Sequence, residues 1–150
     1  MKIREAKKNE LPEVAEIFME GTNSPPYNEK WTNKTALIKI KDHIKNKSKI
    51  YVAIINKEIM GFITARLEYG YDGNKIFIEE FYIRKQFQGQ GMGTKMLKKL
   101  EEIYHGKIKF VALVSSKDAP AFKFYLKRKF KPYHQVIFMK RKLKWKKIKK

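Results

Sequence analysis

The chain contains no cysteine among its 150 residues. That excludes a disulfide framework, a thiolate nucleophile and a cysteine-built zinc site. Histidine is nearly as scarce: His43, His105 and His134 lie scattered, and each reads as surface or satisfied structure, so no metal site is expected. No apolar run is long enough to span a bilayer. The opening Met1-Lys2-Ile3-Arg4-Glu5 has no signal-peptide pattern, and the expected compartment is the cytoplasm. Acidic residues are also in short supply, 15 Asp and Glu against 35 Lys and Arg, for a formal net charge of +20. Residues 140–150 hold eight of the positives and no acid, which leaves +12 on the rest of the chain. Such a body favours polyanions by long-range attraction: phosphorylated small molecules, nucleic acid or an anionic membrane surface.

What the chain does have is core material, 43% hydrophobic and 13% aromatic residues, in a length that suits one domain. Residues 76–83, Ile-Phe-Ile-Glu-Glu-Phe-Tyr-Ile, form a β-branched and aromatic run of strand length. From Met92 onward the apolar residues recur at Met96, Leu97, Leu100, Ile103 and Tyr104, which is helical spacing. Between strand and helix stand three glycines in five residues, Gly89, Gly91 and Gly93. Glycines at a helix entrance cost roughly 1 kcal/mol each, so either the turn needs their dihedrals or something approaches the backbone closely. A phosphate is the natural guest, since a helix start offers unpaired N–H groups and a positive dipole end. The chain lacks Gly-x-x-x-x-Gly-Lys-Ser/Thr. It also lacks the acid that a dinucleotide fingerprint needs about 20 positions on, where residues 107–113 carry none.

In order, a short opening strand spans residues 2–7, and Asn9 is expected to cap a helix carrying Leu11, Val14, Ala15, Ile17 and Phe18. Residues 21–32 are a loop with two prolines, two aromatics (Tyr27 and Trp31) and Glu29. A second helix is expected over residues 32–46, then a hairpin of residues 49–56 and 58–67. A second aromatic and acidic loop begins at Glu68 and Tyr69. After the glycine-turn helix, residues 107–114 form a strand that should run parallel to residues 76–83. Asp118 is expected to cap a last helix, and residues 132–143 to supply closing strands.

Gln88-Gly89-Gln90-Gly91-Met92-Gly93 resembles the Gln/Arg-x-x-Gly-x-Gly/Ala signature of the GCN5-related N-acetyltransferases, the GNAT superfamily, and the likeness extends from about Lys2 to Leu143. Ala121, Tyr125 and Phe130 fall in register with the family's element on the last helix; Asp118 stands where the family usually has Asn, and Lys129 where it has Gly. The resemblance implies an α/β fold of the α+β, mixed-sheet kind. Its central twisted sheet of six to seven strands would splay between the fourth and fifth strands, flanked by about four helices. The domain would cover residues 1–143, with 144–150 as a basic C-terminal tail.

It further implies acetyl-CoA, with the pyrophosphate on the amides of Gln88, Gly89, Gln90, Gly91, Met92 and Gly93, and a contact from Asp118 put in doubt by its departure from Asn. Backbone groups of Phe81 and Ile83 match the positions that receive the pantetheine arm and the oxyanion. An amine of pKa about 10.4 must lose a proton before attacking. Glu79 and Glu80 stand mid-strand in an apolar run, where a carboxylate is expensive unless used or paired. Adjacent strand residues face opposite ways, so only one should see the cleft. The resemblance favours Glu79 as general base, with burial raising its pKa, and Glu80 as second choice; the alternative is that each pairs with a lysine. Tyr125 matches the family's general acid, or is simply a packed aromatic.

Tyr27, Glu29, Trp31, Glu68 and Tyr69 are the expected acceptor-binding residues, since aromatics and acids suit a cationic amine; the alternative is that Tyr27 and Trp31 merely plug their loop onto the core. The acceptor is expected to be a small cationic amine, polyamine or aminoglycoside-like, or a protein amine. The rival class is a nucleic-acid-associated or regulatory CoA-binding protein that uses the basic tail, with Trp145 able to stack on a base; the alternative for the tail is a solvated appendage. Monomer and homodimer both remain open.

Overall fold

The longest strand, β3 (Glu58–Glu68), is the spine of a six-stranded mixed sheet in the computed structural model, which describes residues 1–148. It continues from β2 (Lys49–Ile55) through the two-residue turn at Asn56 and Lys57, both at positive φ. On the far side of β2 lies β1 (Lys2–Glu5). The opposite edge of β3 takes β4 (Lys75–Ile78) and then β5 (Phe81–Ile83), both antiparallel to it. The outermost strand, β6 (Phe110–Leu113), runs parallel to β4, as expected of a strand reached by a helical crossover.

Alternation along β2 and β3 sends side chains into two cores. Leu11, Val14, Phe18 and Ile40 of the first two helices, α1 (Leu11–Thr22) and α2 (Asn33–Lys45), join Ile50, Val52 and Phe62 on one face. Met96, Leu97 and Leu100 of α3 (Met92–Ile103) join Tyr51, Ala53, Ile63 and Ile76 on the other. The last helix, α4 (Pro120–Lys127), lies beside the start of α3. The sheet layered between helices is the expected mixed α/β architecture.

Local signals account for some of the ends. Thr32 caps α2, its Oγ1 accepting from the Thr35 amide at 3.1 Å. Asn9 does not cap α1: it sits in a 3-10 turn, Lys8–Glu10, whose Glu10 carboxylate accepts from the Lys7 amide instead. Asp118 does not cap α4 either, because Ala119 occupies the cap position without a side-chain bond.

The closing strands expected over residues 132–143 are absent. That stretch holds no regular strand, and Tyr133, Val136, Ile137, Phe138 and Met139 are each at least 75% exposed. Its composition favours extended chain, but a strand exists only where a neighbour takes its N–H and C=O groups. Of the tail expected over residues 144–150, Lys149 and Lys150 lie outside the described residues.

Candidate active site

The site is made by a break in one strand. Between the pairs Arg66↔Phe77 and Ile63↔Phe81, β3 contributes two residues and the facing chain three, a one-residue bulge at Glu79–Glu80. Thr64 holds it open: its Oγ1 accepts from the amides of Glu79 (3.0 Å) and Glu80 (2.9 Å), and its own N–H donates to the Glu80 carbonyl (2.9 Å). β6 ends at Leu113, opposite Ile78, so β5 has a partner on one side only. Counting β4 and β5 as one broken strand, this is the splay expected between the fourth and fifth strands.

Main-chain direction follows from that. Glu80 and Arg84 direct backbone groups at β3, toward Thr64 and Met60. By antiparallel alternation, Phe81 and Ile83 turn theirs away from β3 toward the open side. The Ile83 carbonyl already accepts from Gln88 Nε2 at 2.8 Å, which ties the strand to the glycine turn. Gly61 makes room for β5, since a Cβ there would lie 2.7 Å from the Tyr82 carbonyl oxygen.

A cleft of about 850 Å³ opens beside this edge, between the glycine turn, α4 and the 24–27 loop. Gly89 and Gly91 take φ of +74° and +76°, so the turn does need glycine, and nothing lies within 4 Å of the space a Cβ would fill at either. Gly93 is glycine for another reason: its Cβ would meet the Phe124 ring at 3.0 Å. The Gln90 side chain donates to the Gln86 carbonyl and does not line the cleft, whereas Gln88 and Met92 do.

Sequence reasoning missed Arg128. Its Nε donates to Thr94 Oγ1 at 2.8 Å in the first turn of α3, and its guanidinium covers the Phe124 ring at 3.8 Å. Bare main chain at a helix start with an arginine beside it fits a diphosphate. Asp118 is exposed and off the cleft.

The acid pair departs from the expected geometry. Alternation should send Glu79 and Glu80 to opposite faces, but the bulge brings both carboxylates to His43 of α2, at 2.9 Å (Glu79 Oε2 to Nδ1) and 3.7 Å (Glu80 Oε2 to Nε2). Glu79 also accepts from Ser48 Oγ (2.5 Å) and Arg66 Nε (3.3 Å). Burial pushes its carboxyl up, as expected, but the Ser48 hydroxyl, His43 and Arg66 outweigh burial and hold it below the ordinary value. Neither acid meets a lysine at salt-bridge distance among the described residues.

Tyr125 lines the cleft, its ring set edge-on against Phe124 and Phe130. Burial, with a contribution from Tyr27, raises its hydroxyl to about 12. Tyr27 also lines the cleft and is pushed up by burial, then by Glu29 and Glu80. Tyr82, which carried no sequence signal, is raised by burial and then by Glu80. Three tyrosines thus line the cleft, while Glu29, Glu79 and Glu80 stand behind its lining, Glu80 near enough for its charge to act on Tyr27 and Tyr82.

Trp31 is not among them. Its ring packs edge-on against Phe18 at 5.0 Å, and its Nε1 donates to Glu29 at 2.7 Å. Glu68 pairs with Arg66 at 2.6 Å, and Tyr69 is 83% exposed. Both lie up β3 from Ile63, roughly 16 Å away for Glu68 at about 3.3 Å per residue, and neither reaches the cleft. The linear sequence cannot register that distance.

The sequence model of the acetyltransferase (GNAT) family matches residues 11–130. The chain belongs to that family. Its fold is shared with a possible acetyltransferase from Clostridium difficile 630 (16% identity, 95% of this chain and 98% of that one, TM-score 0.80). An aminoglycoside acetyltransferase from an uncultured soil metagenomic sample, solved with trehalose, also shares it (22%, 95% and 96%, TM-score 0.70), as does a transcriptional regulator from Bacillus halodurans C-125 (21%, 93% and 98%, TM-score 0.73). A comparison with curated proteins returns no match. No helix among the described residues is long and apolar enough to cross a membrane.

Proposed function

We propose that the chain is an N-acetyltransferase that moves an acetyl group from acetyl-CoA to a primary amine by direct attack, with both substrates bound together. One observation carries this reading: the unpaired edge of β5, the open glycine turn and the Tyr125 hydroxyl share a single cleft. When bound, acetyl-CoA supplies an acetyl group activated as a thioester. The amides of residues 88–93 and Arg128 hold its phosphates. The outward amides of Phe81 or Ile83 receive the charge that develops on the carbonyl oxygen. Tyr125, protonated up to about pH 12, donates a hydrogen bond to the departing sulfur; as a weaker acid than a thiol of pKa about 8.5, it does not surrender its proton completely.

For the base, the surroundings favour Glu80 over Glu79. Glu79 is held by three donors and lowered, whereas Glu80, just behind the cleft lining, accepts no side-chain hydrogen bond among the described residues and its charge acts on Tyr27 and Tyr82. Glu80 takes a proton from the attacking amine, the new C–N bond forms as the C–S bond breaks, and the sulfur leaves as a thiolate that accepts the Tyr125 hydrogen bond. The acids and tyrosines at this end suit a small cationic acceptor, polyamine or aminoglycoside-like, and a protein amine fits the same chemistry.

The test is thiol release from acetyl-CoA against an amine panel. Glu80→Gln is expected to lower kcat about a hundredfold, Glu79→Gln to cost less in rate and more in stability, and Tyr125→Phe to slow turnover about tenfold, the worth of one hydrogen bond. Should Glu79→Gln alone abolish turnover, the base is Glu79. Unchanged rates in all three variants would defeat the role assignments.

A further inference from the structure

His43 is 3% exposed, yet its two ring nitrogens face two carboxylates. Nδ1 is satisfied by Glu79 Oε2 at 2.9 Å. Nε2 is not: among the described residues, both it and Glu80 Oε2 are buried polar atoms without a hydrogen-bond partner, and they lie 3.7 Å apart, facing each other. A buried orphan polar atom costs about 1–3 kcal/mol, so two in opposition call for an explanation. With the Nδ1 hydrogen donated to Glu79, Nε2 presents a lone pair, and a carboxylate oxygen presents another. Two acceptors do not close to bonding distance. The gap lacks one proton.

We infer that His43 is a positioning residue for the acetyl transfer: its Nε2 receives from Glu80 the proton taken from the amine, and the hydrogen bond formed on the way holds that carboxyl in place. This rests on the acetyltransferase reading above. Oε2 is buried, so the amine proton arrives on Oε1 and a half-turn of the carboxyl carries it to Nε2. The Oε2–H···Nε2 bond then forms, the proton crosses, and Glu80 is a carboxylate again. The imidazolium so formed keeps its Nδ1 hydrogen on Glu79, whose charge stabilises it in the way the buried acid of a hydrolase triad does. The proton returns to solvent when the product leaves.

The groups facing His43 fit this division. Glu79 and Glu80 come from the bulge, and Ser48 from the turn after α2, its amide bonded to the His43 carbonyl at 2.9 Å. Arg66 of β3 and Ser48 both donate to Glu79, not Glu80. One acid is therefore fixed as a charged anchor, and the other keeps a buried Oε2 without a partner among the described residues.

The experiment begins with wild-type protein and an acceptor that supports thiol release. His43→Gln keeps an N–H for Glu79 but cannot take up a proton. It is expected to lower kcat about a hundredfold with the acceptor KM within about twofold, and to remove one titrating group from the pH dependence of kcat, while coenzyme A binding by calorimetry is unchanged. An unaltered kcat and pH profile, or a raised acceptor KM at normal kcat, would overturn the inference. As a readout independent of turnover and of variant folding at position 43, imidazole nitrogen resonances are followed through a pH titration in wild type and Glu80→Gln. The expected result is an altered His43 titration; identical curves would overturn the contact. Absence of thiol release by wild type with every amine defeats the acetyltransferase reading itself, a result distinct from failure of the His43 arms.

Discussion

At Gly93 one hydrogen atom sets how closely α4 approaches α3. A methyl there would meet Phe124 at 3.0 and 3.1 Å, and Phe124 cannot yield, packed as it is by Phe81, Tyr125 and the Arg128 guanidinium. Gly93→Ala is therefore expected to cost about 1–3 kcal/mol by overpacking and to weaken coenzyme A binding as α4 shifts, read by thermal melting and calorimetry. Gly91→Ala meets no neighbour but keeps φ at +76°, so its cost is backbone strain alone, about 1–2 kcal/mol. The glycines were visible in the sequence; their different reasons were not, because one is a dihedral and the other is a neighbour 31 positions along the chain.

Two elements offer tests at the next scale. The Glu10 carboxyl, which receives the Arg4 guanidinium at 2.7 Å, ties β1 to the start of α1. That hydrogen bond, outweighing burial, lowers its pKa to about 2. The unfolded value is near 4.3, so its stabilisation is fully present above that pH and is lost as pH falls from about 4.3 toward 2. Glu10→Gln is expected to lower the melting temperature at pH 7 and to match wild type near pH 2, with a flatter stability curve between. In the β2–β3 hairpin, Asn56 and Lys57 both hold positive φ, +50° and +67°, a geometry that favours Asn-Gly. Lys57→Gly should stabilise the chain by about 0.5–1 kcal/mol, measured by urea unfolding. The hairpin itself was legible from its flanking strands.

For the molecule as a whole, charge is the conspicuous quantity. The net +20 attracts phosphate-bearing ligands and opposes a polycation at long range, so a polycationic acceptor would need local acids to offset it, and Glu29 and Glu80, whose charges act on Tyr27, are the acids nearest the cleft tyrosines. A chain ending at Met139 loses eight positive charges. It is expected to bind a labelled single-stranded oligonucleotide more weakly at low salt, its salt slope falling by up to about 0.7 per cation that had met a phosphate. An unchanged slope in a gel-shift titration would leave the tail a solvated appendage.

The sequence by itself determined the order of elements, the glycine turn at the entrance of α3, the parallel crossover to β6 and the family to which the chain belongs. These depend on residues close together along the chain, through periodicity and turn chemistry; the caps expected at Asn9 and Asp118 failed, while Thr32 caps α2. Tertiary structure alone decided which acid is hydrogen-bonded and which is not. The Thr64 hydroxyl, 15 positions from Glu79, holds the bulge that turns both carboxylates to one side. His43, 36 positions from Glu79, then engages that acid and leaves the Oε2 of its neighbour buried without a partner. The strand-like stretch at 132–143 teaches the same lesson in reverse, since propensity is local but a strand is formed by the partner that meets it.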